Sequence, residues 1–331
     1  MANLHITYAG GDYDRTRPLI DGRVKPQGID LTYLPMLPPE AFFRMVRHQE
    51  FDASEMSLAA TFINWSRGER DFVAIPVFPS RMFRHACIYT NTQALVQHPR
   101  HLKGKRFGLP EYQITAAVWV RALLEHDYHV SPKDVAWFTG GVNAPGRQER
   151  IRLDPPPGVS ITPIGPDRTL NDMLLRGEID ALMCPALPRA FLEQRDKVDH
   201  LFPNFREVET DYFRRTGIFP IMHTVVIQRA LCERYPFVAR SLFDAFCRAQ
   251  GLASQALYTT EALPVSLAWA HAVYEEDRAV LGDRLWDHGL AENRKVLETL
   301  LQYCGEQGLL AGPVDLDEVF APSVREPIRE G

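Results

Sequence analysis

The sequence holds none of the compact signatures that tie a chain to a cofactor. GxGxxG and GxxxxGK[ST] are both missing, so no phosphate-cradling glycine loop is expected. Without a GxSxG elbow, serine acyl transfer has no support, and HExxH is absent as well. The five cysteines, Cys87, Cys184, Cys232, Cys247 and Cys304, are odd in number, scattered and free of CxxC spacing. They read as buried thiols in a reducing compartment. No apolar run approaches the roughly 18 residues that span a bilayer, which argues against a membrane protein. A net charge of -5 without a block of like charge argues against nucleic acid as a partner. His98 with His101 and His126 with His129 have metal-like spacing, but in polar contexts where solvated surface histidines are the common case. No metal ligands and no cofactor are assigned, and a need for a divalent metal is left open.

What is present is ordinary in bulk: 331 residues, 45% hydrophobic and 24% charged, enough for one large or two ordinary domains. Leu4 to Tyr8 enters a strand pattern directly, without a basic segment, apolar core or cleavage site before it, and a cytoplasmic location is therefore expected. Strand patterns at Leu4–Tyr8, Ile29–Leu34 and Phe51–Ser57 alternate with helical ones near Arg15–Asp21, Pro38–Val46 and Leu58–Trp65. A second alternating run extends from Lys103 to Pro185. Repeated alternation of this kind implies an α/β fold of mainly parallel sheets covered by helices. Ligands in such sheets sit at the carboxyl ends of strands, here Gly10–Tyr13, Ser54–Ser57 and Pro110–Thr115.

The segment 105–119 is the most informative. An apolar strand ends at Leu109, Pro110 stops it, and a helix pattern begins near Thr115. The unpaired N–H groups of a helix start favour an anion, so a carboxylate is expected at this turn; the competing reading is that Gln113 and Thr115 only cap the helix. Arg81 to Tyr89 reads as a strand rich in polar residues, with Arg84 and His85 on opposite faces. Two arginines and a histidine within five residues suggest a cationic site, since the arginine fork matches a carboxylate. Gly217 to Ile227 reads as a second strand of this type, carrying His223. Taking these two as crossovers gives lobe 1 as residues 1–89 and 201–331, lobe 2 as 90–200, and a ligand cleft between them. The C-terminal third is helical, ending in a polar tail with Pro322 and Pro327 expected on the surface.

Several longer phrases carry a resemblance. Phe51-Asp52-Ala53-Ser54-Glu55-Met56, Leu102 to Gly108 and Arg176-Gly177-Glu178-Ile179-Asp180-Ala181 resemble the type II periplasmic-binding-protein fold, two-lobed, here with a helical C-terminal extension. Pro110 to Arg121, Phe83-Arg84-His85 and Thr216 to His223 resemble the 4,5-dihydroxyphthalate decarboxylase family over essentially the whole chain. The resemblance implies an enzyme on a binding-protein scaffold that converts 4,5-dihydroxyphthalate to protocatechuate and carbon dioxide.

Such chemistry needs an anion clamp, a proton donor and a proton acceptor. The residues on hand assign protonation of the ring to His85 or His223 and place Glu55 as acceptor of a phenol proton. Arg81 or Arg84 clamps the retained carboxylate together with the turn at Gln113 to Thr115. Ser57 and Tyr112 orient the substrate, and Gly11 and Asp12 approach it from the first glycine turn. The expected partner is a small aromatic carboxylate, with a homo-oligomer left open. A solute-binding or ligand-sensing protein of the same fold, without catalysis, is the alternative.

Overall fold

The computed structural model describes residues 2–284 and 286–325. Met1 and the tail's Pro327 lie outside the described residues. The strands are β1 (Leu4–Gly10), β2 (Ile29–Pro35), β3 (Ala53–Ser57), β4 (Phe72–Ile75), β5 (Ile88–Asn91), β6 (Arg106–Leu109), β7 (Ala136–Thr139), β8 (Ser160–Pro163), β9 (Ala181–Met183), β10 (Val198–His200) and β11 (His223–Gln228). Among the helices, α1 (Arg17–Ile20), α2 (Pro38–His48), α3 (Leu58–Ser66), α4 (Thr115–Tyr128), α5 (Leu170–Leu175) and α6 (Arg189–Glu193) come first. They are followed by α7 (Phe205–Thr216), α8 (Arg229–Arg234), α9 (Phe237–Leu257), α10 (Ala270–Leu281), α11 (Leu290–Glu306) and α12 (Leu316–Val319).

The described residues divide into two compact units. The first takes those of 1–81, 221–298 and 312–331, the second 82–220 and 299–311. In the first unit the strand order is β2-β1-β3-β11-β4. β1 runs parallel to β2 and β3, while β11 lies antiparallel between β3 and β4. Alternation along these strands sends Ile6, Tyr8, Val73, Ile75, Val225 and Ile227 into one core with Val238, Leu242, Phe243 and Phe246 of α9. α9 can serve there because its apolar residues recur at three- and four-residue intervals.

The second unit has the order β10-β5-β9-β6-β7-β8, parallel from β9 through β8 and antiparallel at β5 and β10. Its core gathers Leu170, Met173 and Leu174 of α5 against Tyr89, Ile179 and Leu182. Helix α11 belongs to the first unit up to Glu298 and to the second from Thr299 onward.

Three expectations change. Residues 81–89 do not form a strand: Arg81 makes only an isolated bridge to Ile221, residues 85–87 are a single 3-10 turn, and β5 starts at Ile88. Pro79 and Pro220 flank that bridge, and a residue without an N–H cannot extend a ladder. The shortening of both supposed crossovers shifts the lobe limits, so that 82–89 and 201–220 fall in the second unit, as does 299–311. The described part of the tail is only partly on the surface: Pro322 is exposed as expected, but Val319, Phe320, Ala321 and Val324 are buried, and Ala321 donates its N–H to the Ala74 carbonyl at the β4 edge, 2.8 Å.

Candidate active site

Parallel pairing brings the carboxyl ends of β1 and β3 to one edge of the first sheet, and the antiparallel β11 starts at that same edge. His223 lies directly opposite Ser57 in the ladder, with Glu55 its diagonal neighbour on the same face. The imidazole uses that diagonal: His223 Nδ1 is 2.6 Å from Glu55 Oε1. Tyr13 donates its hydroxyl to the same oxygen at 2.9 Å, and the Gly11 N–H donates to Oε2 at 2.8 Å. Glycine is required at position 11, since a Cβ there would stand 2.5 Å from the Tyr13 ring. The Gly11 carbonyl is fixed in turn by the hydroxyls of Tyr33 and Thr16.

Glu55 is completely buried. Burial opposes its ionisation, yet the His223 contact, the Gly11 N–H and the Tyr13 hydroxyl together hold its carboxyl below the usual range. An ionised carboxylate can only accept, so Nδ1 of His223 carries a proton and Nε2 is left for other chemistry. Phe42 meets the imidazole edge-on at 4.8 Å and limits its rotation. His223 keeps 19% of its side chain exposed, against none for Glu55. The histidine, therefore, can meet a ligand, whereas the glutamate is reached through the groups bonded to it.

The same edge holds a second group. Arg15 lies between the rings of Tyr13 and Trp286, its guanidinium carbon 4.2 and 3.9 Å from their centroids, and donates from Nε to the Pro79 carbonyl at 2.6 Å. Arg81, two residues past Pro79, is buried and donates to the Asp287 carbonyl and to Asn293 Oδ1, 2.6 and 2.5 Å. Asp12, by contrast, is exposed and tied to Arg17 at 2.7 Å.

The remaining sequence candidates belong to the second unit. Ile114 occupies the N-cap of α4 without a side-chain bond, Thr115 is the first helical residue, and Gln113 donates instead to the Arg152 carbonyl at 2.9 Å. The N-cap position is thus held by Ile114, and Gln113 is turned to residue 152 rather than to the helix start. A carboxyl group does stand at the turn, and it is the chain's own: Glu149 accepts the Tyr112 N–H at 2.5 Å. Burial, with Glu111 nearby, raises the Glu149 carboxyl to about 7. Glu111 is itself buried and paired with Arg147 and Arg150, so residues 147–152 are fastened across the β6–α4 turn. Tyr112 is fully buried, its ring 3.6 Å beneath the Arg121 guanidinium.

Arg84 and His85 are both buried rather than displayed on opposite strand faces. The Arg84 guanidinium contacts the sulfurs of Met82 and Cys87 at 3.5 Å. His85 packs edge-on against Phe202 and Tyr212, with Glu209 3.7 Å away. His126 pairs with Glu306 and stacks on Tyr303, and the ring of His98 lies 6.0 Å from that of His101. Among the described residues no three His, Cys, Asp or Glu side chains are grouped to hold a metal ion. No described helix is long and apolar enough to cross a membrane.

No family model matches the sequence. A 4,5-dihydroxyphthalate decarboxylase of Comamonas testosteroni is 36% identical over 329 residues, which cover 99% of this chain and all of that protein. The chain belongs to the 4,5-dihydroxyphthalate decarboxylase family. A second relative of that name, from Pseudomonas putida, is 40% identical over 214 residues, 65% of this chain and 83% of its own length. The decarboxylases are carboxy-lyases, and the fold of this family member is shared more widely. The periplasmic aliphatic sulphonate binding protein SsuA of Escherichia coli superposes with a TM-score of 0.55 at 14% identity, covering 98% of this chain and 99% of that one. The two-lobed type II binding-protein architecture is thus the scaffold of this decarboxylase.

Tyr13 lay in the Gly10–Tyr13 stretch singled out from the sequence but was given no role, and Arg15, Trp286 and Asn293 were not legible as neighbours of this edge. A glycine turn followed by Tyr-x-Arg at a strand's carboxyl end was the available signal for the first two. Nothing local marks Trp286 or Asn293, which arrive from the far end of the chain.

Proposed function

We propose that this chain converts 4,5-dihydroxyphthalate to protocatechuate and carbon dioxide by protonating the ring before the carboxylate leaves. Family membership supports the reaction, and the observation that carries the mechanism is the His223–Glu55 pair, 2.6 Å apart at the sheet edge. In this scheme the His223 Nε2–H gives its proton to the ring carbon bearing the departing carboxylate. The hydroxyl para to that carbon releases its own proton and stabilises the cationic ring. The bond to the carboxylate then breaks, its electron pair restores aromaticity, and carbon dioxide departs. The phenol recovers its proton and His223 is recharged from water, so one proton is consumed per turnover and no redox equivalent is needed.

Complete burial changes the role given to Glu55. It receives the phenol proton through the Tyr13 hydroxyl, which already donates to it, and holds the imidazole with Nε2 outward. Ser57, opposite His223, supports that orientation. His85 is the less suited donor because it is 3% exposed. Arg81 and Arg84 are the cations that the sequence offers for the retained carboxylate.

The deciding experiment incubates chelator-treated protein with 4,5-dihydroxyphthalate and follows carbon dioxide and protocatechuate together. Catalytic release of both is expected. If neither forms while the compound raises the melting temperature, the chain is a binding protein; activity that returns only with added divalent metal makes the acid–base scheme incomplete.

A further inference from the structure

Two arginines of the first unit are bracketed by the same two segments. Arg15 reaches the Pro79 carbonyl and stacks on Trp286, while Arg81 bonds the carbonyl of Asp287 and the amide of Asn293. Both are largely shielded: Arg81 is 9% exposed and the Arg15 side chain 15%. Buried cations are costly unless an anion accompanies them. Among the described residues Arg81 has no carboxylate within ion-pair distance, and its buried Nε has no hydrogen-bond partner. The Asp287 carboxyl is turned to Arg284. Arg15 has Asp14, which is mostly exposed, and Glu55 is already shared by His223, Tyr13 and Gly11.

The neighbouring His288 makes the surplus plainer. It is buried, receives the Phe78 N–H on Nδ1, and is held neutral, at about 3, by burial and by the charges of Arg81 and Arg15. Burial lowers Arg81 to about 9, against attraction from Asp287 and with a smaller contribution from the charge of Arg15. Arg81 thus has no ion-pair partner among the described residues and Arg15 has only the exposed Asp14, and Arg15 stacks on Tyr13, whose hydroxyl reaches the Glu55–His223 pair.

We infer that Arg15 and Arg81 form a carboxylate subsite, which holds the carboxylate that stays on the aromatic ring while its neighbour is lost. Arg15 is the directing member. Its fork is fixed between two aromatic rings before any ligand arrives, and an aryl carboxylate gains a charge-assisted contact without having to order that side chain. The inference rests on the decarboxylase reading only in naming which carboxylate is held.

The test uses benzene-1,2-dicarboxylate, which lacks the hydroxyls needed for reaction, in calorimetric titration of the intact protein. Wild type binds it, and Arg15→Met binds at least about ten-fold more weakly, as expected for loss of a hydrogen bond to a charged group. Arg15→Lys recovers part of the loss, and Arg15→Gln, a polar neutral replacement, does not; these two keep the comparison usable if the Met variant folds poorly. In turnover the Arg15→Met defect falls mainly on KM. Equal binding by wild type and both neutral variants overturns the subsite, as does equal binding of sulfate and the dicarboxylate. Turnover with an unaltered KM in Arg15→Met overturns the subsite and leaves the decarboxylase standing. Dicarboxylate binding through Arg15 in a protein that releases no carbon dioxide does the reverse.

Discussion

A carboxylate sealed from solvent can act only through the groups bonded to it, and that separates the roles of Glu55 and His223. In the proposed scheme, removing the imidazole removes the proton donor. His223→Ala should lower kcat by about 10²- to 10⁴-fold with KM little changed, in steady-state assays. Glu55→Gln keeps the shape of the site but lets the imidazole lose its Nδ1 anchor and its attraction for a proton. In steady-state assays that variant should lose most of its kcat with KM little changed; unaltered turnover would remove Glu55 from the mechanism. Sequence reading reached both residues because Glu55 lies two residues from the carboxyl end of β3 and His223 opens the strand beside it. It could not tell that Glu55 is sealed, since burial of a polar residue depends on Gly11, Tyr13 and the β11 ladder closing over it.

Among the elements, the β6–α4 turn departs most from a simple anion site, because residues 147–152 already fill it. The Glu149 carboxyl is raised from 4.5 to about 7, so the folded protein holds that proton more tightly than the unfolded chain. Its contribution to stability is fully present below about 4.5 and is lost as pH rises through 7. Glu149→Gln, permanently uncharged, should narrow the fall in melting temperature between pH 5 and pH 8, measured by parallel thermal scans. The strand at Arg106–Leu109, Pro110 as its stop and the helix from Thr115 were all legible from local pattern. Glu149 was not, because it stands 37 residues from its partner Tyr112 and nothing in Gln148-Glu149-Arg150 marks it as buried. Residues 81–89 failed for the opposite reason: an alternating pattern was present, but Pro79 and Pro220 denied it a ladder.

Across the whole molecule, the α/β class was readable from repeated strand–helix alternation, while the fate of the C-terminus was not. The polar composition of the tail hid the four apolar side chains that enter the first unit's core. Phe320 is fully buried and meets Phe78 edge-on, with ring centroids 6.3 Å apart. Phe320→Ala should therefore destabilise the first unit by about 3–5 kcal/mol, seen as an earlier denaturation midpoint. A surface tail would show almost no change. The same tail covers the free edge of β4, the strand that would otherwise offer its backbone to another chain.

The place of β11 between β3 and β4 also has a consequence for synthesis. A ribosome delivers β1 to β4 early, then spends well over a hundred residues on the second unit before His223–Gln228 emerges. Until then the first sheet stays split, with β4 detached from β3 and the Glu55 side chain facing a gap where His223 belongs. The second unit thus completes its own strands while its host is still open, and the last strand to arrive both closes the host sheet and delivers the imidazole.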